Sequence, residues 1–285
     1  MPANTREIRR RIRSVKNTSQ ITGAMQMVAT SKMRRAQQTA LAGRPYALAL
    51  NRMLVALRGK TDPALHPLLE VREVKKELVV AFATDRGLCG ALNTNLAREL
   101  NRLDPGKTVF AASGRKIAQF LARAKRPLLA DFPLKDPPTF AETRLISKFC
   151  LDKFLSGEVD KVSVLYSRFV NTLTQQPVVR TVLPICPIEV EGTAEAERAG
   201  SDYLFEPGPQ EVLDAVLPLW VHLAIFQVSL EARASEHSAR MVAMKNATEN
   251  AKALIKELTL EYNQVRQTSI TTELLEIATA QMALG

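Results

Sequence analysis

Apolar residues in the last quarter of the chain recur at alternating steps of three and four. Met241, Met244, Thr248, Ala251, Ile255, Leu258, Tyr262 and Val265 mark the repeat, and that spacing is the seam of a coiled coil. Ser269 and Thr272 continue the steps without the apolar character. Beyond them Ile270, Leu274, Leu275, Ile277, Ala278, Met282 and Leu284 point in many directions, and no charge follows Glu276. A helix end that is apolar all round is usually buried all round. The helix is expected to begin at Pro209, with Gly208 as N-cap and Glu211 in the first turn. From Gln210 to Leu284 there is no glycine and a single proline, Pro218. A continuous helix over this stretch is roughly 110 Å long, too long for the core of its own domain. The alternative is an ordinary C-terminal helix docked in that core. Length favours a helix that leaves the body and finds its partner elsewhere.

The N-terminal stretch repeats the pattern. Ile8, Ile12, Val15, Thr18, Thr22, Met25, Ala29, Met33 and Ala36 lie at steps of three or four, after an N-cap at Asn4 with Glu7 completing a capping box. Gly43 and Pro45 are expected to kink or interrupt this helix. The pattern resumes to about Leu57 and stops at Gly59. Two long helices with seam spacing at opposite ends of one chain suggest an antiparallel pair.

Between them the period changes. Residues 59–76 read as a loop. Glu77–Ala83 is a short apolar run with β-branched residues, hence a buried strand. A tight turn over Thr84–Gly90 leads to a helix over Ala91–Leu103. Lys107–Ala112, Pro127–Phe132, Lys161–Phe169 and Pro177–Val190 read as further strands. Helices are expected over Gly114–Ala124 and about Ala141–Leu155. Glu191–Gly200 is a polar surface loop. Alternating strands and helices indicate an α/β layer with an at least partly parallel sheet. The expected fold class is therefore α/β plus a long α coiled coil, with a Rossmann-like α/β domain inserted between two coil helices. The expected divisions are residues 1–76 (N-terminal shaft helix and linker), 77–207 (α/β domain) and 208–285 (C-terminal shaft helix).

Charge sharpens this picture. The chain has 285 residues and a net charge of +10. Residues 1–60 hold thirteen Lys/Arg and one acid, a net of +12, so the remaining 26 basic and 28 acidic groups sum to −2. The basic character belongs to the first helix, which must face solvent or an acidic partner. Residues 210–285 hold six basic and nine acidic groups, so the two coil helices are roughly complementary. Cys89, Cys150 and Cys186 form neither a disulfide framework nor a zinc spacing, which suits a reducing cytoplasm. Ala215–Leu230 is uncharged but is interrupted by Pro218 and His222. It reads as helix packed against the chain's own body rather than a membrane span. Membrane association is expected only through partners.

No catalytic constellation is visible. Gly87-Leu88-Cys89-Gly90 follows a strand and precedes a helix, as a phosphate cradle does. It lacks both G-x-G-x-x-G and G-K-[ST] and reads better as a strand-to-helix turn eased by glycine. Cys89 is a nucleophile only if the fold brings a base to it, since His66, His222 and His237 are all distant in sequence. His222 and His237, fifteen residues apart on one helix, cannot share a metal within it. No catalytic residue, metal site or cofactor is assigned. The basic first helix keeps open a nucleic-acid-binding coiled coil, although residues 1–45 hold no aromatic that could stack on bases and carry a helix seam instead. An α/β enzyme using the Asp85–Gly90 turn is the third reading.

Three blocks resemble the gamma subunit of F-type ATP synthases, and of the bacterial enzyme in particular. They are Ile8–Gln37 (IRRRIRSVKNTSQITGAMQMVATSKMRRAQ), Thr84–Leu96 (TDRGLCGALNTNL) and Ala234–Ile277, which contains SARMVAMKNAT and RQTSITTELLEI. Together they extend the resemblance over essentially the whole chain. One departure lies at the end, where Ala280 and Gln281 stand in place of the family's usual Gly-Ala pair.

The resemblance implies a central rotor shaft and no active site. The terminal helices would form an antiparallel coiled coil inside a ring of three alpha and three beta subunits, with the charge-free tip in an apolar sleeve. The inserted domain, with the epsilon subunit, would contact the ring of c subunits. Ion-driven c-ring rotation would turn the shaft and couple to ATP synthesis or hydrolysis in the beta subunits. By match to the motif RQ-x-S-I-T, Arg266 and Gln267 would contact beta-subunit loops. By match to the family's foot segment, Tyr203, Leu204 and Glu206 would lie near the c-ring and epsilon. Neither a cofactor nor nucleic acid is implied. The expected place is the cytoplasmic side of a bacterial cell membrane, peripheral, held through the c-ring. The chain starts where the family usually starts, without a transit peptide, and lacks the close cysteine pair of the chloroplast relatives. A bacterial source and no redox control of that kind are therefore expected.

Overall fold

The computed structural model describes residues 5–58, 66–185 and 205–284. The chain divides into two compact units. One is residues 30–239, and the other joins residues up to Ala29 with those from Arg240 on. Two long helices, α1 (Thr5–Arg58) and α5 (Pro209–Leu284), contribute to both units.

The first unit is built on a five-stranded sheet. In chain order its elements are β1 (Glu77–Phe82), α2 (Leu92–Arg102), β2 (Thr108–Ser113), α3 (Arg115–Arg123), β3 (Leu128–Asp131), α4 (Phe140–Leu155), β4 (Lys161–Phe169) and β5 (Gln175–Leu183). The strand order is β3-β2-β1-β4-β5. The first four strands are parallel and β5 returns antiparallel to β4. The mixed sheet arises because β4 and β5 are joined by a short hairpin, whereas the parallel strands are joined through helices. The expected strands are all present. β5 starts two residues earlier than expected, and the tail of its expected range, residues 186–190, lies outside the described residues.

The central strands are buried on both faces, as their unbroken apolar runs require. Leu78, Val80 and Phe82 of β1 point to one face, where Ile146, Cys150 and Phe154 of α4 and Leu217, Val221 and Ile225 of α5 cover them. Val79 and Ala81 point to the other, under Leu92, Leu96 and Leu100 of α2 and Ile117 and Leu121 of α3. The four-residue spacing of the α2 leucines puts them on one helical stripe. Each fully buried leucine or valine of this kind contributes about 1.5–3 kcal/mol. A full capping box starts α4, with Thr139 and Glu142 each accepting from the other's backbone N–H.

α5 opens as its sequence suggests, the Gly208 carbonyl accepting from Val212 N at 3.2 Å. By length and apolar composition alone this helix could cross a membrane. Its apolar first part packs on the sheet, with Val216, Leu217, Val221, Ile225, Val228 and Leu230 buried. The expected break at Gly43 and Pro45 does not occur, and α1 runs unbroken past both. A proline costs its helix one hydrogen bond, and Leu50 and Leu57 beyond it are anchored in the core. A Cβ at Gly43 would meet the movable end of the Gln227 side chain at 2.5 Å, which a shift of that side chain relieves.

The second unit is a pair of helical segments. Arg9 donates to the Tyr262 hydroxyl at 2.6 Å, and the Thr22 and Thr248 hydroxyls meet at 2.7 Å. Moving up α1 by thirteen residues moves down α5 by fourteen, so the segments are antiparallel. Every expected seam position from Met241 to Val265 is buried or half-buried, and so are Ile8, Ile12, Val15, Thr22, Met25 and Ala29. Thr18 is the exception: it is exposed, its hydroxyl donating back to the Ser14 carbonyl, and Ser19 takes the half-buried place.

Candidate functional site

In a parallel sheet, ligands bind outside the carboxyl ends of the strands, at the point where the strand order reverses. Here that point lies between β1 and β4, and α5 fills it. Phe82, Thr84, Ser113 and Ser167 face Ser229, Ala232, Arg233 and Glu236 across a cavity of only about 10 Å³. That is room for one water molecule and no more. The backbone is equally tight, for Gly114 has φ 118° and any Cβ there would clash with the Ala83 carbonyl oxygen.

The glycine turn beside this point is stapled by its own side chains. Leu88 and Gly90 adopt φ of 63° and 60°. Thr84 Oγ1 donates to the Arg86 carbonyl at 2.7 Å, Asn93 Nδ2 donates to Thr84 Oγ1 at 2.8 Å, and Asn93 Nδ2 also reaches Cys89 Sγ at 3.4 Å. Cys89 is buried, with the neutral amide and hydroxyl of Asn93 and Thr84 against its sulfur. Burial pushes the Cys150 thiol up to about 12, so it stays a packed, protonated side chain.

Charge is buried along α5 where it crosses this end of the sheet. Residues 233–239 are all buried. Arg233 donates to Glu236 at 2.7 Å and to the Leu134 carbonyl at 3.3 Å, and lies 3.5 Å from Asp85. Burial opposes its charge, but Glu236 and Asp85 outweigh burial and hold the guanidinium above its ordinary pKa. His237 Nε2 meets Asp136 at 3.0 Å, and Lys32 donates to the other oxygen of the same carboxylate at 2.7 Å. These two partners hold Asp136 well below the usual carboxylate range, the hydrogen bond with His237 first among the causes. His222 instead contacts Ser147, and His66 lies 3.5 Å from Asp214. Among the described residues no three His, Cys, Asp or Glu side chains converge as metal ligands.

A wider apolar groove, about 850 Å³, separates α1 from α5 and is lined by Leu41, Leu48, Trp220 and Leu223, with Arg180 and Glu231 at its sides. Its lining offers a surface for contact and no paired acid and base for chemistry.

Arg266 and Gln267 are exposed on α5, directly after Val265, the last apolar seam residue. Extending the antiparallel register from Arg9 and Tyr262 places Thr5 opposite about residue 266, so both stand where the pairing helix runs out. Among the described residues Arg266 forms no ion pair with Glu261 or Glu273. From Ile270 to Met282 every residue is exposed, including Leu274, Leu275 and Ile277 at 60–62%. Glu206 is exposed ahead of α5; Tyr203 and Leu204 lie outside the described residues. The sequence pattern did not bring Lys32, Asp85, Asp136, Arg233 and His237 together, because they come from four separated segments. The available signal was the polar run Arg233–Ser238 inside an otherwise apolar helix.

A family model described as ATP synthase matches residues 4–284. The ATP synthase gamma chain of Methylacidiphilum infernorum is 49% identical over 99% of this chain and 100% of its own length. That of Opitutus terrae is 48% identical over 99% of each. Among solved structures, the rotor of the Euglena gracilis mitochondrial ATP synthase superposes with a TM-score of 0.64 at 20% identity, covering 93% of this chain and 98% of that one. The central stalk of the Tetrahymena thermophila enzyme gives 0.62 at 24% identity, covering 80% and 99%. The structural likeness establishes the fold, and the close, full-length relatives establish the kinship: this chain belongs to the ATP synthase gamma chain family.

Proposed function

We infer that the chain is the central rotor shaft of an F-type ATP synthase, coupling ion-driven rotation of a c-ring to ATP synthesis or hydrolysis in beta subunits. It is a non-catalytic subunit, and catalysis belongs to the beta subunits. The observation that carries this reading is the end of α5. The helix end is exposed over Ile270–Met282, with Leu274, Leu275 and Ile277 bare, which is a protein-contact surface, and beyond Glu276 it carries no ionic group to desolvate at any angle of rotation. The full-length gamma-chain relatives and the solved neighbours described as rotor and central stalk support it.

The partners are three alpha and three beta subunits, epsilon and the c-ring. The enclosing subunits take the coil and tip, and the c-ring and epsilon take the α/β side. On this reading residues 1–76 and 208–285 serve as shaft and residues 77–207 as the coupling domain. Arg266 and Gln267 contact beta-subunit loops, while Tyr203, Leu204 and Glu206 contact the c-ring and epsilon. The assembly is peripheral, on the cytoplasmic side of a bacterial cell membrane, and held there by the c-ring. Nothing favours the nucleic-acid reading, since Arg9 is engaged with Tyr262 within the coil.

The test is direct observation of motion. Arg123 is exposed at the end of α3, and a bead attached through Arg123→Cys in the immobilised complex should turn in one direction while ATP is hydrolysed. A bead that stays fixed during turnover would sink the rotor reading. In the same complex Arg266→Ala should impair turnover while leaving the isolated chain's unfolding temperature unchanged. Normal turnover would remove Arg266 from the contact.

A further inference from the structure

The rotor reading requires that torque pass between the α/β domain and α5, and an apolar interface alone is poorly suited to that. Burial is non-directional, so a smooth apolar helix resists separation better than it resists rotation about its own axis. Hydrogen bonds fix direction. Within two turns of α5, four side chains make polar contacts with the domain. Glu231 accepts from Phe169 N at 3.2 Å, and Ser238 donates to the Thr172 carbonyl at 2.8 Å. Arg233 reaches the Leu134 carbonyl and Asp85, and His237 reaches Asp136.

Their positions around the helix divide them. At 3.6 residues per turn, Arg233 and His237 stand about 200° and about 240° from Glu231, whereas Ser238 returns to within about 20° of it. The β4–β5 hairpin therefore holds one face of α5, and the β1–α2 turn with the β3–α4 loop holds the opposite face. Asp136 has a further role. Its second oxygen takes Lys32 of α1, so one carboxylate ties both long helices to the same loop. The Arg233–Glu236 pair beside it is buried and costly to pull apart, whereas the Lys32–Asp136 pair lies at the surface and acts by its direction.

We propose that the contacts of Glu231, Arg233, His237 and Ser238 form a polar collar that transmits torque to α5, with Asp136 as the positioning residue that locks both long helices to the α/β domain. This inference rests on the rotor reading. The collar bears load only when the rotor works against resistance; without a gradient, a slipping joint still permits ATP turnover.

The experiment uses the whole complex reconstituted into vesicles, with ATP hydrolysis and ATP-driven ion transport measured on the same sample, with and without an opposing gradient. Asp136→Asn keeps size and shape and removes the charge that holds His237 and Lys32. Hydrolysis should stay within about twofold, while ions moved per ATP against a gradient should fall about threefold or more, as expected when charge-assisted hydrogen bonds are lost. A merely structural role would lower the amount of assembled complex and leave that ratio unchanged. Lys32→Ala, at a half-exposed position, keeps the test open if Asp136→Asn fails to assemble, and should move the ratio in the same direction. Asp136→Glu should restore part of it. An unmodified complex whose transport does not depend on this chain would overturn the rotor reading. A complex that couples normally and whose variants couple equally well would overturn the collar alone.

Discussion

At the scale of single residues, two half-buried histidines give the fold a pH dependence of definite sign. Burial, with Arg144 nearby, holds the His222 imidazole below its ordinary pKa, and burial does the same to His66 against the opposing pull of Asp214. The folded chain thus prefers both rings neutral. As pH falls through about 6.5, the unfolded chain takes up their protons first. Their contribution to stability is therefore complete above that value and is lost as pH falls toward the lowered folded pKa. Asp136 acts in the same direction at lower pH: held down by His237, it contributes above the unfolded carboxylate value of about 3.9 and loses that contribution below it. The unfolding temperature of the isolated chain should drop between about pH 8 and about pH 5. In His222→Asn the drop should be shallower, whatever the variant's stability at high pH. An unchanged slope would mean that His222 is not a source of it.

At the scale of elements, the two long helices were the most legible part of the sequence, because a seam repeats its signal every three or four residues. The register was not legible. It rests on single pairs such as Arg9 with Tyr262, where the guanidinium also lies 5.5 Å from the ring centre, and Thr22 with Thr248. Spin labels test it. Labels replacing Arg13 and Glu257, both exposed, should lie side by side in the full chain, while moving the second label to Lys245 should add about 18 Å along the axis at 1.5 Å per residue. A parallel pair, or equal distances from both sites, would contradict the arrangement. Steps of three and four can be taken in either order between Val15 and Thr22, which is why Thr18 and Ser19 exchange roles against expectation. The strands of the sheet were legible from their apolar runs. Pro45 does not end α1 because its cost is local, whereas the burial of Leu50 and Leu57 beyond it is tertiary. The polar collar was hidden for the same reason, since no pattern along the chain links Lys32 to Asp136 or Asp136 to His237.

At the scale of the whole molecule, one helix explains why an α/β sheet of this topology is not a nucleotide enzyme. The sheet order creates the crevice in which related architectures hold nucleotides, and the glycine turn at Gly87–Gly90 stands beside it. α5 closes that crevice with Arg233 and Glu236, leaving about 10 Å³, and the same helix continues into the coiled coil. The residues that fill the site cannot be spared for a ligand, because Arg233 and Glu236 form a buried ion pair, and breaking such a pair costs several kcal/mol. The turn itself directs Thr84 and Asn93 at each other rather than outward. The isolated chain should therefore neither hydrolyse ATP nor bind it with micromolar affinity. Calorimetric titration with ATP and ADP in the presence of magnesium should give no more than heats of dilution. Saturable micromolar binding would show that α5 can leave the crevice. Crevice substitutions distinguish that outcome from adventitious binding to the basic first helix: affinity unchanged by Gly114→Ala but weakened by salt would place the nucleotide on the arginines of α1, where screening governs the interaction.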